Sequence, residues 1–120
     1  MSRPTDPRTR AVRAALDTDS QHGAVVPPIH LTSTFSFATF GEKRRYDYSR
    51  SGNPTRDALA EALAELEGGA GAVVTGSGMG AVTLVMHLCR AGELVLAPRD
   101  CYGGCHRLFS ALARHGHVRV

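Results

Sequence analysis

Ala72-Val73-Val74-Thr75-Gly76-Ser77-Gly78-Met79-Gly80 decides the fold. Three consecutive apolar residues predict a short strand at Ala72 to Thr75, the glycines predict a turn at 76–80, and a helix is expected from Ala81 to Arg90. Gly92 breaks that helix. Glu93 to Ala97 predicts a second strand, closed by Pro98, and a loop at 99–104 leads to a helix over His106 to Arg114. Gly116 ends it, and His117 to Val120 begins another strand. Strand-helix-strand-helix-strand predicts an α/β fold, a parallel sheet with helices on its faces. Parallel sheets are covered on both faces, and three short strands leave an open edge. The chain is therefore expected to be the N-terminal piece of a longer protein, or to have its missing half supplied from elsewhere.

Upstream of this alternation, Asn53-Pro54 marks a helix start: Asn caps well and Pro suits the first helical position. Ala58, Leu59, Ala62, Leu63 and Leu66 form one apolar stripe, and Gly68-Gly69 ends the helix. Pro27-Pro28 forces an extended path through Gln21 to Phe40, which reads as an arm. The arm's Val25, Val26, Ile29, Leu31, Phe35 and Phe37 need cover, either from a neighbouring subunit or from the chain's own helices. Thr9 to Leu16 has a short helical pattern, and residues 1 to about 8 are expected to be mobile.

Bulk properties narrow the function classes. The 120 residues are 42% hydrophobic and 21% charged, as in soluble globular domains. The net charge of +3, from 14 basic and 11 acidic residues, has no basic block of the kind that tracks nucleic acid. No apolar run is long enough to span a membrane, and no secretory signal core is present, so no nucleic-acid or membrane partner is expected and the default location is cytoplasmic. Cys89, Cys101 and Cys105 do not form a disulfide framework, and Cys101-x-x-x-Cys105-His106 lacks the spacing of a structural zinc site, so no metal is expected. Lys43 is the chain's single lysine and lies in a polar stretch.

Three segments carry chemistry. In Asp47-Tyr48-Ser49-Arg50-Ser51-Gly52-Asn53-Pro54, a phenol and a guanidinium stand two residues apart. In an extended segment both project to one side and can grip one anion, a phosphate above all. Gly76-Ser77-Gly78-Met79-Gly80 offers backbone amides and a helix start to a second anion contact. It also fits the dinucleotide fingerprint through Gly76-x-Gly78-x-x-Ala81, with Arg99 and Asp100 at ribose-binding distance in sequence, or it is simply a tight turn. Tyr102, between Cys101 and Gly103, either presents a ring to a flat heteroaromatic ligand or packs on the third helix.

These segments, with Leu66-Glu67-Gly68-Gly69, Val25-Val26-Pro27-Pro28-Ile29 and Arg107-Leu108-Phe109, resemble the Cys/Met-metabolism family of pyridoxal-phosphate enzymes from about residue 9 onward. The resemblance implies the N-terminal part of a fold-type-I, aminotransferase-like large domain. Residues 1–52 would be an arm and dimer-contact segment, and 53–120 the first part of the cofactor domain. It implies pyridoxal phosphate as cofactor, an amino-acid substrate and a homo-oligomer, a dimer of dimers. Tyr48 and Arg50 would bind the cofactor phosphate of the neighbouring subunit; Ser77, Gly78 and Met79 that of their own; Tyr102 would stack on the pyridine ring and could assist proton movement. Asp47 would approach the substrate. The activity implied is replacement of the γ-substituent of O-succinylhomoserine by cysteine, in transsulfuration and methionine biosynthesis, with the family's lyases and sulfhydrylases as alternatives. The Schiff-base lysine of the family is expected beyond residue 120, so the chain alone is expected to be inactive. Cys105 stands where the family pattern has Ser or Thr, and His106 where an aromatic is common.

Overall fold

The computed structural model describes residues 6–120. The mobile tail expected at the N-terminus lies, for residues 1–5, outside the described residues. Pro7 and Arg8 are not part of a tail but open the first helix. The elements are α1 (Pro7–Arg13), α2 (Pro54–Glu67), α3 (Gly78–Met86), β1 (Glu93–Leu94), α4 (Gly103–Arg114) and β2 (Val118–Arg119). They fall into two units, one ending at Val74 and one spanning Thr75–Val120.

In the first unit, α1 starts where the Asp6 carboxylate accepts from Arg8 N at 2.8 Å. It stops at Arg13, three residues before the predicted end, as Ala15 and Asp17 turn to positive φ. Arg10 Nη1 donates to Glu65 O at 3.1 Å and so places a cation at the carboxyl end of α2. Helix α2 begins at Pro54 behind the Asn53 cap and ends in Gly68, whose φ of 66° is left-handed, both as predicted. The apolar stripe of α2 divides: Ala58, Ala62 and Leu66 are half-buried, whereas Leu59 and Leu63 stay exposed.

The arm is irregular from residue 21 onward but does not simply extend. Phe35 N donates to Asp47 O at 2.9 Å, Ser49 N to Ser33 O at 2.8 Å and Ala38 N to Glu42 O at 2.9 Å. Isolated antiparallel bridges at Thr34–Tyr48 and Thr39–Glu42 complete a loose hairpin that reverses at Phe40-Gly41. The Phe35 and Tyr46 rings meet across it at 5.4 Å. Reversal needs the positive φ of 76° at Gly41. Val25, Val26, Ile29, Leu31 and Phe37 are exposed, while Phe35 is half-buried.

In the second unit, β1 and β2 pair in parallel with Glu93 opposite Val118 and Leu94 opposite Arg119. Helix α4 forms the crossover between them. Arg119 Nε donates to Gly92 O at 2.9 Å and pins the entry to β1. Val118, 4% exposed, is the one buried apolar residue among those described. The α/β class and the parallel pairing hold. The strands are two residues long rather than four or five, and Ala72–Thr75 forms no strand. A strand exists only through a ladder partner, and this segment has none among the described residues. Helix α3 starts three residues earlier than predicted, at Gly78, and ends at Met86 rather than Arg90; α4 also starts three residues early, at Gly103. Glycine content suggested turns at both places. The backbone instead uses the glycines as first-turn helical residues.

Candidate functional site

The Tyr48–Arg50 pair is built by a turn, not by an extended segment. Ser51 N and Gly52 N both donate to Tyr48 O, at 2.9 and 3.1 Å, which closes the chain after Tyr48. The correction is geometric: residues two apart in a turn do not share a side by strand alternation. They meet here because the Arg50 guanidinium folds over the Tyr48 ring, Cζ 5.1 Å from its centroid. Both side chains stay exposed, Tyr48 at 40%, and among the described residues no side chain occupies their hydrogen-bond donors.

Three residues hold this turn. Asn53 is buried, and its Oδ1 accepts from Thr55 N at 2.9 Å as the α2 cap. Its Nδ2 donates to Ser49 Oγ at 2.9 Å and to His30 O at 3.2 Å. Arg56 Nη1 and Nη2 donate to the carbonyls of Ser49 and Arg50, at 2.8 and 3.3 Å. Thr55 Oγ1 accepts from His30 N at 2.9 Å. The role of Arg56 escaped sequence reasoning, because its acceptors are backbone carbonyls that no residue type announces. Gly52 was missed for a similar reason: a Cβ there would stand 3.0 Å from the Tyr46 ring. Burial and a hydrogen bond to Asp57 push the Tyr46 phenol pKa up, so it stays a neutral donor. Lys43 is a solvated surface residue, its Nζ 3.8 Å from Asp47 Oδ2. Asp47 Oδ1 accepts from Tyr48 N at 2.8 Å.

In the second unit, Ser77 caps α3, its Oγ accepting from Gly80 N at 3.0 Å. An oxygen used as acceptor keeps its hydrogen, so the Ser77 hydroxyl can still donate. The N–H groups of Gly78 and Met79 find no acceptor among the described residues, and they point out of the positive end of the helix. A Cβ on Gly80 would lie 3.3 Å from Ser77 Oγ, so glycine lets the cap close tightly. Tyr102 is the residue before α4 and makes no side-chain cap; its carbonyl accepts from Cys105 N at 2.8 Å and its ring is 71% exposed. The two loops come together: a Cβ built on Gly104 would stand 2.6 Å from Tyr102 Cε1 and 2.9 Å from Met79 Sδ. The Cys105 thiol also meets Met79 Sδ, at 3.9 Å. Ser77, Gly78, Met79 and Tyr102 therefore share one neighbourhood. Free amide donors, a hydroxyl and an exposed ring fit a ligand that joins a phosphate to a flat ring.

Comparison with known proteins agrees in kind. The sequence profile of the Cys/Met metabolism PLP-dependent enzyme family matches residues 8–120. Cystathionine γ-synthase of Escherichia coli is 58% identical over 113 residues, 93% of this chain and 29% of that enzyme. Human cystathionine γ-lyase is 39% identical over 113 residues, 93% of this chain and 28% of its own length. The solved structure of cystathionine γ-synthase from Xanthomonas oryzae pv. oryzae with aminoacrylate and cysteine superposes with a TM-score of 0.91 at 58% identity. It is matched over 98% of this chain and 30% of that one. The chain thus spans about 30% of the length of the relatives it matches.

Proposed function

The chain belongs to the Cys/Met metabolism PLP-dependent enzyme family, and from that premise we propose that it supplies the phosphate grip and stacking face for pyridoxal phosphate in a cystathionine γ-synthase. The observation that carries this reading is the 58% identity to the E. coli synthase across nearly the whole chain. A synthase solved with cystathionine, at a TM-score of 0.90, points the same way. The proposed reaction breaks the C–O bond of O-succinylhomoserine, releases succinate and forms a C–S bond to cysteine.

The cofactor, when bound, supplies an electron sink for charge developing on the amino-acid carbons. The residues of this chain bind and orient. The Gly78 and Met79 amides and the Ser77 hydroxyl donate to the phosphate, supported by the α3 helix end. Tyr102 offers its face to the pyridine ring and its hydroxyl as a nearby proton carrier. Tyr48 and Arg50 donate to the phosphate held by the neighbouring subunit of a homo-oligomer. A phenol and a guanidinium stacked at 5.1 Å form a preassembled clamp for such an anion. Apolar arm residues left exposed within their own unit, Ile29 and Leu31 among them, suit a subunit contact.

Titrating the purified protein with pyridoxal phosphate, followed by absorbance, tests the reading. Saturable binding is expected, displaced by inorganic phosphate. Arg50→Ala should raise Kd about tenfold or more, the loss of a charge-assisted pair. Binding of NAD or NADP with no response to pyridoxal phosphate would sink the proposal. In an assembly that also supplies the family's Schiff-base lysine, cleavage rather than formation of cystathionine would move the activity to the family's lyases.

A further inference from the structure

We propose that Gly104 is a positioning residue that couples the stacking ring to the phosphate-binding helix start, a device resting on the function proposed above. The argument begins with missing volume. A Cβ on Gly104 would approach Tyr102 Cε1 to 2.6 Å, Tyr102 Cδ1 to 3.1 Å and Met79 Sδ to 2.9 Å. Real Cβ atoms do not stand that close to neighbours, so any side chain at this position must displace the ring, the thioether or both. Gly103, its neighbour in the same first turn of α4, is different. A Cβ there would meet only Arg107 Nη1, at an ordinary 3.7 Å.

Met79 makes the contact consequential. It is the second residue of α3; its backbone N–H has no acceptor among the described residues, whereas its side chain reaches α4. The Cys105 thiol meets the same sulfur at 3.9 Å, and Thr83 Oγ1 donates to the Met79 carbonyl at 2.8 Å. One residue therefore presents an unpartnered amide at the start of α3 and a thioether to the helix that follows Tyr102. The absent side chain of Gly104 sets how closely the ring and the helix start approach. That spacing selects ligands in which a phosphate and a flat ring are joined by a short link.

Displacement of this ring does not require unfolding. Tyr102 is 71% exposed and can swing into solvent, and Met79 has rotatable bonds. Alanine is also a better helix former than glycine. Gly104→Ala should therefore leave thermal stability equal or higher while loosening the grip. The pair Gly104→Ala and Gly103→Ala, made in the full chain, is the test. The chain has three methionines, Met1, Met79 and Met86, so methyl-labelled NMR spectra can follow Met79 alone. Without cofactor, Gly104→Ala should shift the Met79 methyl resonance and Gly103→Ala should not. With pyridoxal phosphate, Gly104→Ala should raise Kd about fivefold to tenfold, the value of a lost aromatic stack, with melting temperature unchanged or raised. A Met79 methyl left in place by Gly104→Ala, or an equal response to both alanines, overturns the coupling. Should the unsubstituted protein not bind pyridoxal phosphate at all, the proposed function fails. The NMR arm still decides whether the coupling exists.

Discussion

Asn53 does three things with one amide group. It caps α2, holds Ser49 in the turn that carries Arg50, and satisfies the carbonyl of His30 in the arm. Its neighbour Arg56 clamps the same turn through two carbonyls. The Tyr48–Arg50 pair therefore depends on residues that need not touch a ligand. Asn53→Ala should destabilise the protein by about 1–3 kcal/mol, because it removes the α2 cap and two part-buried hydrogen bonds, to Ser49 Oγ and His30 O. Asn53→Asp retains the cap acceptor and loses both donors, so it should fall between. Urea denaturation of the three proteins checks the order. Only the capping role was legible in the sequence, from Asn-Pro ahead of an apolar stripe. The bonds to Ser49 and His30 were not, since the partners of an amide's NH2 depend on which hydroxyl and which carbonyl the chain brings beside it.

The start of α3 carries two roles that can be separated. Ser77 Oγ accepts from Gly80 N, which stabilises the helix, while the hydroxyl hydrogen and the amides beyond it remain available to an anion. Ser77→Ala should cost about 1 kcal/mol of stability through the lost cap. Ser77→Asp should preserve the cap and hold stability, since carboxylates favour helix starts, yet it should abolish pyridoxal-phosphate binding by placing negative charge against the phosphate. Thermal melts read beside cofactor titration check both outcomes; an Asp variant that binds normally would remove Ser77 from the proposed site. The glycine-rich segment reads from sequence as a strand-to-helix junction; the helix forms, whereas no strand precedes the segment among the described residues. Its helical register was not legible: glycine composition suggests a loop, whereas the Ser77 cap makes Gly78 the first helical residue. The same misplacement occurred at Gly103, where no side chain announces a cap.

At the scale of the molecule, none of helices α1–α4 carries a fully buried residue among the described residues, where Val118 and Asn53 are the buried positions. Apolar side chains this exposed favour association. Sedimentation should find a self-associated species, and replacing Ile29 and Leu31 together by Ser should shift it toward monomer. The 120-residue polypeptide supplied alone with O-succinylhomoserine and cysteine should form no cystathionine. Its single lysine is a surface residue, with Nζ 3.8 Å from Asp47 Oδ2. Lys43→Arg should accordingly leave cofactor affinity unchanged.

Helix identity, the α/β class and the family were determined by the sequence itself, because caps, apolar stripes and the quoted motifs are local patterns whose physics acts within a few residues. Tertiary structure alone decided that the arm reverses at Gly41, that Ala72–Thr75 finds no ladder partner among the described residues, and that Tyr102 and Met79 converge on Gly104. Those outcomes depend on distances between segments far apart in the chain, and such distances are set by packing rather than by residue order.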